Sequence, residues 1–231
     1  MNILSLFVVI PLLTMLGLWA ARNINQVRGV MVTGATALLA LSAWLTIYFI
    51  GERAAGNTAE MLLTSSVEWF PSLNICYAVG VDGISVVMLL LSSIIVFTGT
   101  FATWQLKNMP KEFFLWFTLL STGVYGFFIT IDLFSMFMFY EVALIPMYLL
   151  IGYWGSGNKE YAAMKLTLML MGGSALIILG LVGIYFFNGA TTMNILDIAH
   201  NNCIPADIQN VLFPFVFIGF GVLGALFPFH T

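Results

Sequence analysis

Glu141 stands in the apolar run Leu133 to Trp154, nine residues past Asp132, and no other ionisable side chain lies so deep in an apolar stretch. A carboxylate in lipid costs about 2.5–3.5 kcal/mol on insertion scales, so this side chain must face protein or water. A carboxyl group in a dry setting keeps its proton and gives it up when a cation or a water path approaches, which is the behaviour of a proton-carrying site. The plainer reading is a carboxyl that hydrogen-bonds a neighbouring helix and only holds packing together. Pro146, five residues on, leaves the carbonyl of Val142 without its helical donor and favours a kink. A freed carbonyl beside a carboxyl suits a hydrated route, and it also suits a simple packing kink.

Two further titratable groups fall near apolar runs. Lys165 lies a turn or so inside Ala162 to Phe187, where an ammonium either snorkels to the headgroups or relays protons toward Glu141. His230 follows Pro228 at the end of a run containing Pro214, Gly219, Gly221 and Gly224. Such a run predicts a broken helix, and broken helices at membrane depth line cavities or ion sites. His230 titrates near neutral pH and would open the second half-helix, or it is an ordinary interfacial histidine.

These side chains need a scaffold of membrane-spanning helices. Of 231 residues, 61% are apolar and 7% charged, with a mean hydropathy of +1.03. A water-soluble domain carries about 25% charge. A crossing takes about 20 apolar residues. Seven runs qualify: Ile3 to Ala21, Gly29 to Ile50, Ile84 to Trp104, Phe113 to Ile131, Leu133 to Trp154, Ala162 to Phe187, and Ile208 to His230. The fold class is an all-α polytopic bundle. No basic field exists for nucleic acid, since the net charge is −3.

Cations mark the cytoplasmic loops. Arg22, Arg28, Lys107, Lys111 and Lys159 all fall in the loops following odd-numbered spans. The other loops hold Arg53 against Glu52, Glu60, Glu68, Asp82, Asp132, Asp197 and Asp207. The N-terminus is therefore expected outside. Ser66 to Val81 around Pro71-Ser72-Leu73-Asn74 predicts a short outer hairpin, and Met193 to Ala199 a turn or two of interfacial helix. Gly219, Gly221 and Gly224 match dinucleotide-fingerprint spacing without its strand or acidic partner, so close helix packing through Gly221 and Ala225 is the better account. Cys76 and Cys203 both fall in outer loops, where pairing is chemically allowed and an unpaired state is the default. No Cys/His cluster or phosphate loop suggests a metal or cofactor site.

The stretch Asp132 to Gly155, with Glu141-Val-Ala-Leu-Ile-Pro-Met-Tyr-Leu-Leu-Ile-Gly-Tyr-Trp-Gly, resembles the antiporter-like membrane subunits of proton-pumping NADH:quinone oxidoreductase, closest to the family's chain M or subunit 4. Gly80-Val-Asp82-Gly-Ile-Ser, Tyr161-Ala-Ala-Met-Lys165 and Phe227-Pro228-Phe-His230-Thr231 carry the same likeness. The resemblance implies a fourteen-helix fold with two inverted five-helix repeats, each holding a broken helix. Residues 1–104 would be its first three helices and 113–231 part of the first repeat, in a single transmembrane domain incomplete at its C-terminus, an N-terminal fragment. It also implies proton-translocation roles for Glu141, Lys165 and His230, with Pro146 and Pro228 at helix kinks or breaks. No cofactor would be bound by this chain; NADH, FMN, iron–sulfur clusters and quinone would sit in partner subunits. Flanking membrane subunits, lipid and protons would be its partners, and a bacterial inner membrane its place. The family's helix-seven lysine is replaced here by Leu223, which leaves Glu141 without its usual partner. Homologous subunits of a cation/proton antiporter or membrane-bound hydrogenase share the glutamate and the broken helix, and a non-pumping structural subunit is the third alternative.

Overall fold

Long apolar windows become helices because a chain in lipid can satisfy its backbone only internally. The computed structural model describes residues 2–106, 109–201 and 204–229. Among these residues, seven helices are long and apolar enough to cross a membrane. They are α1 (Leu6–Ala20, entered through a 3₁₀ turn at Ile3–Ser5), α2 (Ile24–Ala54), α3 (Gly83–Ala102), α4 (Pro110–Ile129), α5 (Leu133–Trp154), α6 (Lys159–Phe187) and α8 (Ala206–Leu223). The short α7 (Ile195–His200) lies in the expected interfacial segment. The expected hairpin is present as β1 (Leu62–Phe70) and β2 (Ile75–Val81), paired in one two-stranded sheet and turned by Pro71–Leu73 with left-handed Asn74.

The chain divides into two compact units. The first takes residues 1–65 and 79–130, so it holds α1 to α4 and the stem of the hairpin. Its core is built from Phe7, Leu18, Met31, Leu45, Leu89, Phe114, Tyr125 and Ile129. Polar atoms in this core are satisfied in place: Tyr125 Oη donates to Ser93 Oγ at 3.2 Å, and Thr100, Thr118 and Thr122 donate back to carbonyls four residues earlier. Two cations close helix ends in this unit. Lys111 Nζ donates to the carbonyls of Trp19 and Ala21 at 2.8 Å each, at the end of α1. Arg28 Nη2 donates to the Trp104 carbonyl at 2.6 Å and lies over the Trp104 ring, just past α3.

The second unit takes residues 66–78 and 131–231, with α5, α6, α7, α8 and the hairpin tip. Here α6 lies beside both α5 and α8. The α6/α8 contact is made close by glycine: a Cβ on Gly219 would sit 2.9 Å from the Gly173 carbonyl oxygen and 3.1 Å from the Ile177 nitrogen. Packing therefore runs through Gly219, whereas Gly221 and Ala225 were the expected contacts. Gly221 instead receives Leu226 of its own chain, whose Cδ1 would lie 3.3 Å from a Cβ there. Ala225 adopts φ 49° after the helix end. Large apolar side chains such as Leu168, Phe186 and Phe213 remain exposed, as a lipid-facing surface requires.

Candidate functional site

Helix α5 carries the central candidate, and its start is set by Asp132. The Asp132 carboxylate caps the helix, accepting from the Ser135 N–H at 2.9 Å through Oδ1 and from the Cys76 N–H at 3.4 Å through Oδ2. Ser135 Oγ donates in turn to the Cys76 carbonyl. On its other side, Leu133 N–H donates to the Met193 carbonyl and Ile195 N–H to the Ile131 carbonyl. The α5 start is thus pinned between the hairpin and the segment before α7. Asp132 is 1% exposed. Burial pushes its carboxyl above the ordinary carboxylate range, while the Ser135 and Cys76 N–H bonds pull it back. Burial likewise pushes the Cys76 thiol up, reinforced by the negative charges of Asp132 and Glu68.

From that anchor α5 runs unbroken through Pro146 to Trp154. Glu141 lies about 12 Å below Leu133 along the axis at 1.5 Å per residue, well inside the span. Its side chain is half-buried, and the Oε1 atom is buried without a hydrogen-bond partner among the described residues. The neighbouring Tyr140, 6% exposed, has its Oη in the same condition. Two adjacent orphaned polar atoms at membrane depth are costly, and each calls for a partner.

Lys165 lies two turns into α6, exposed on the chain surface at the mouth of a cavity of about 430 Å³. Met147 and Ile151 of α5 and Val222 and Leu223 at the end of α8 also line this cavity. Leu223, expected at the family's lysine position, therefore lines the same cavity as Lys165. Glu141 is not among the lining residues. Glu141 stands about 9 Å along the α5 axis from Met147, the first α5 residue of that lining. A second, more apolar cavity of about 420 Å³ lies between the hairpin tip and α5, lined by Trp69, Tyr77, Ser135, Met138 and Val142.

The other expected residues fall as follows. The apolar run of the last span is interrupted, but Pro228 does not end α8: the helix stops at Leu223, five residues earlier. Gly224 is the cap, Ala225 N–H bonds the Val222 carbonyl, and Leu226 N–H reaches back to the Gly221 carbonyl at 2.9 Å. This is a Schellman end, here with alanine in the left-handed position that glycine usually fills. Pro214 sits inside α8 without interrupting it. His230, Lys107 and Cys203 lie outside the described residues. Cys76 is a free thiol. Asp132 was missed as a site residue: an Asp-x-x-Ser cap signal was present, but its second partner, Cys76, lies 56 residues away.

Comparison with known proteins agrees with this architecture. Residues 130–231 match the family described as NADH:quinone oxidoreductase/Mrp antiporter, TM. The chain is 32% identical over 73% of its length to NAD(P)H-quinone oxidoreductase chain 4-2 of Synechocystis, covering 30% of that protein. It is 30% identical over 99% of its length to NADH-quinone oxidoreductase subunit M of Rickettsia prowazekii, covering 47% of that protein. A chain of respiratory complex I from Thermus thermophilus with bound NADH superposes with a TM-score of 0.84 at 21% identity, over 98% of this chain and 45% of that one. The chain thus spans less than half the length of these relatives.

Proposed function

Because this chain belongs to the antiporter-like membrane family of NADH:quinone oxidoreductase chain 4 and subunit M, we propose that it translocates protons as a membrane subunit of such an oxidoreductase. The observation that carries the reading is Glu141: a carboxyl group well inside a spanning helix, with one oxygen buried and unpartnered. A structural carboxyl would spend both oxygens on packing partners. A proton carrier needs a group that takes a proton in a dry setting and passes it on when water or a cation arrives. Lys165, at the mouth of the cavity shared with Leu223, supplies the positive charge on one side of that exchange. His230 is proposed to continue the route beyond the end of α8.

Electron transfer belongs to partner subunits holding NADH, FMN, iron–sulfur clusters and quinone, and the coupling reaches this chain through its packing against neighbouring membrane subunits. The described residues contain no group of three or more His, Cys, Asp or Glu side chains placed to hold a metal ion. The N-terminus is proposed to lie on the periplasmic side of a bacterial inner membrane, with Arg22, Arg28, Lys111 and Lys159 at the cytoplasmic face. The test is Glu141→Gln in the intact membrane complex, with proton uptake into inverted vesicles measured per NADH oxidised. A fall in the proton yield of this subunit's route of about tenfold, equivalent to about 1.4 kcal/mol in a barrier, is expected with assembly retained. An unchanged yield would turn the reading toward a structural subunit.

A further inference from the structure

The cavity of about 420 Å³ between the hairpin tip and α5 is a groove whose polarity changes with depth. Met138, Phe139 and Val142 line it from α5, on one side of the helix. At 1.5 Å per residue, Met138 stands about 8 Å and Val142 about 14 Å below Leu133 at the helix start. Glu68, Trp69 and Tyr77 line it from the hairpin. The 22 residues of α5 measure about 33 Å, against about 30 Å for the hydrocarbon core. The start of α5 therefore lies at the headgroup boundary, and Cys76, bonded to Asp132 and Ser135, holds the hairpin at that level. The groove thus runs from the headgroup layer, where its polar side chains stand, down into hydrocarbon, where its lining is apolar.

That gradient is the gradient of an amphiphile. Trp69 and Met138 are exposed, so the groove opens sideways at the depth where lipid is the solvent. Charge then selects the lipid. Glu68 is the one charged residue among the described lining residues; it is exposed and pairs with no cation among the described residues. Its negative charge is felt as far as the Cys76 thiol. We propose that this groove binds a phospholipid with an ammonium headgroup, phosphatidylethanolamine, the ammonium on the Glu68 carboxylate and one acyl chain laid along Met138, Phe139 and Val142. Trp69 carries an indole N–H, a donor only, at the level of the phosphate and ester oxygens, as aromatic residues do at membrane interfaces. A lipid without an ammonium, such as phosphatidylglycerol, would bring its phosphate toward Glu68 with no cation to offset the repulsion. Glu141 does not line this groove, so the site goes beyond the proton-carrier reading and stands apart from it.

The test is photolabelling of the intact membrane complex in vesicles of equimolar phosphatidylethanolamine and phosphatidylglycerol. A trace of one lipid or the other carries the same diazirine in its acyl chain, and the labelled residues are mapped by peptide mass spectrometry. Label on the segment Met138 to Val142, as a share of all label on the chain, is expected to be about two- to fivefold higher from phosphatidylethanolamine, the reach of an exposed ion pair. Glu68→Gln, an exposed substitution that leaves the apolar lining intact, should bring the two lipids level on that segment. Equal labelling by both lipids in the unaltered protein would mean boundary lipid only and overturns the proposal. So does a preference that survives Glu68→Gln, and so does a segment that neither lipid labels, which would mean that a neighbouring protein covers the groove. Each outcome is read whether or not Glu141→Gln alters proton translocation, so failure here and failure of the functional reading are separate results.

Discussion

Replacing Asp132 separates the two jobs its carboxylate performs at the start of α5. Asp132→Ala removes the cap on the Ser135 N–H, worth about 1 kcal/mol, and strands the Cys76 N–H in a buried setting, worth about 1–3 kcal/mol. The expected loss is about 2–4 kcal/mol. Asp132→Asn keeps an oxygen for the 2.9 Å bond from Ser135 and turns an amide donor toward Cys76, where the native bond is the long one at 3.4 Å. Its loss should be about half as large. Burial raises the Asp132 carboxyl above its ordinary value, so the folded chain keeps a proton that the unfolded chain has already released. Unfolding then releases a proton, and stability falls as pH rises from the ordinary carboxylate range through the raised folded value, levelling off above it. Asp132→Asn should abolish that slope. Thermal unfolding of the detergent-solubilised protein, followed by helix signal across that pH range, reads all three effects. Equal losses for Ala and Asn, or a slope that persists in Asn, would refute the assignment of both bonds.

Gly219→Val should cost about 1–3 kcal/mol by forcing α8 off α6, while Gly172→Ala, which meets nothing within 4 Å, should be neutral or gain up to about 1 kcal/mol of helix propensity; a thermal melt of each variant checks the contrast, and equal melting temperatures would deny the close α6/α8 approach. Cys76 should react with a maleimide more slowly at neutral pH than a free thiol in solution, since burial and the charges of Asp132 and Glu68 hold the thiol protonated. Its rate should climb as pH passes the ordinary thiol range, and labelling as fast as glutathione at pH 7 would contradict the burial.

The spans were readable because apolar length is a local property, and observed boundaries fall within about five residues of the expected ones except at the end of the last span, where α8 stops at Leu223, seven residues before His230. The hairpin was equally local, since Pro71 and Asn74 set its turn. What escaped depends on distant partners or on which helix face is covered. Asp132 reads as an outer-loop acid until Cys76 is brought beside it. The end of α8 was expected at Pro228 because proline is the visible breaker, yet Gly224, Ala225 and the return of Leu226 onto Gly221 close it first. Of three glycines at near-regular spacing, only the fold tells that Gly219 meets α6. Glu141 was legible as a lone deep carboxyl. The orphaned state of its neighbour Tyr140 was not, because an aromatic residue in an apolar run carries no sign of which stripe it joins.

The charge asymmetry between the loops has a second physical source in the structure. Asp82 and Asp132 each cap a helix through the N–H of a serine three residues on, at the starts of α3 and α5. Lys111, Arg28 and Lys159 bind carbonyls at or just past the ends of α1, α3 and α5, Lys159 reaching the Tyr153 carbonyl at 2.7 Å. Within each unit the acids thus stand at helix starts, where the dipole is positive, and the cations at helix ends, where it is negative. That preference holds whichever way the chain is inserted. The insertion rule carries a separate expectation, that loops rich in cations stay cytoplasmic. The two arguments draw on different physics and select the same three cations, Lys111, Arg28 and Lys159.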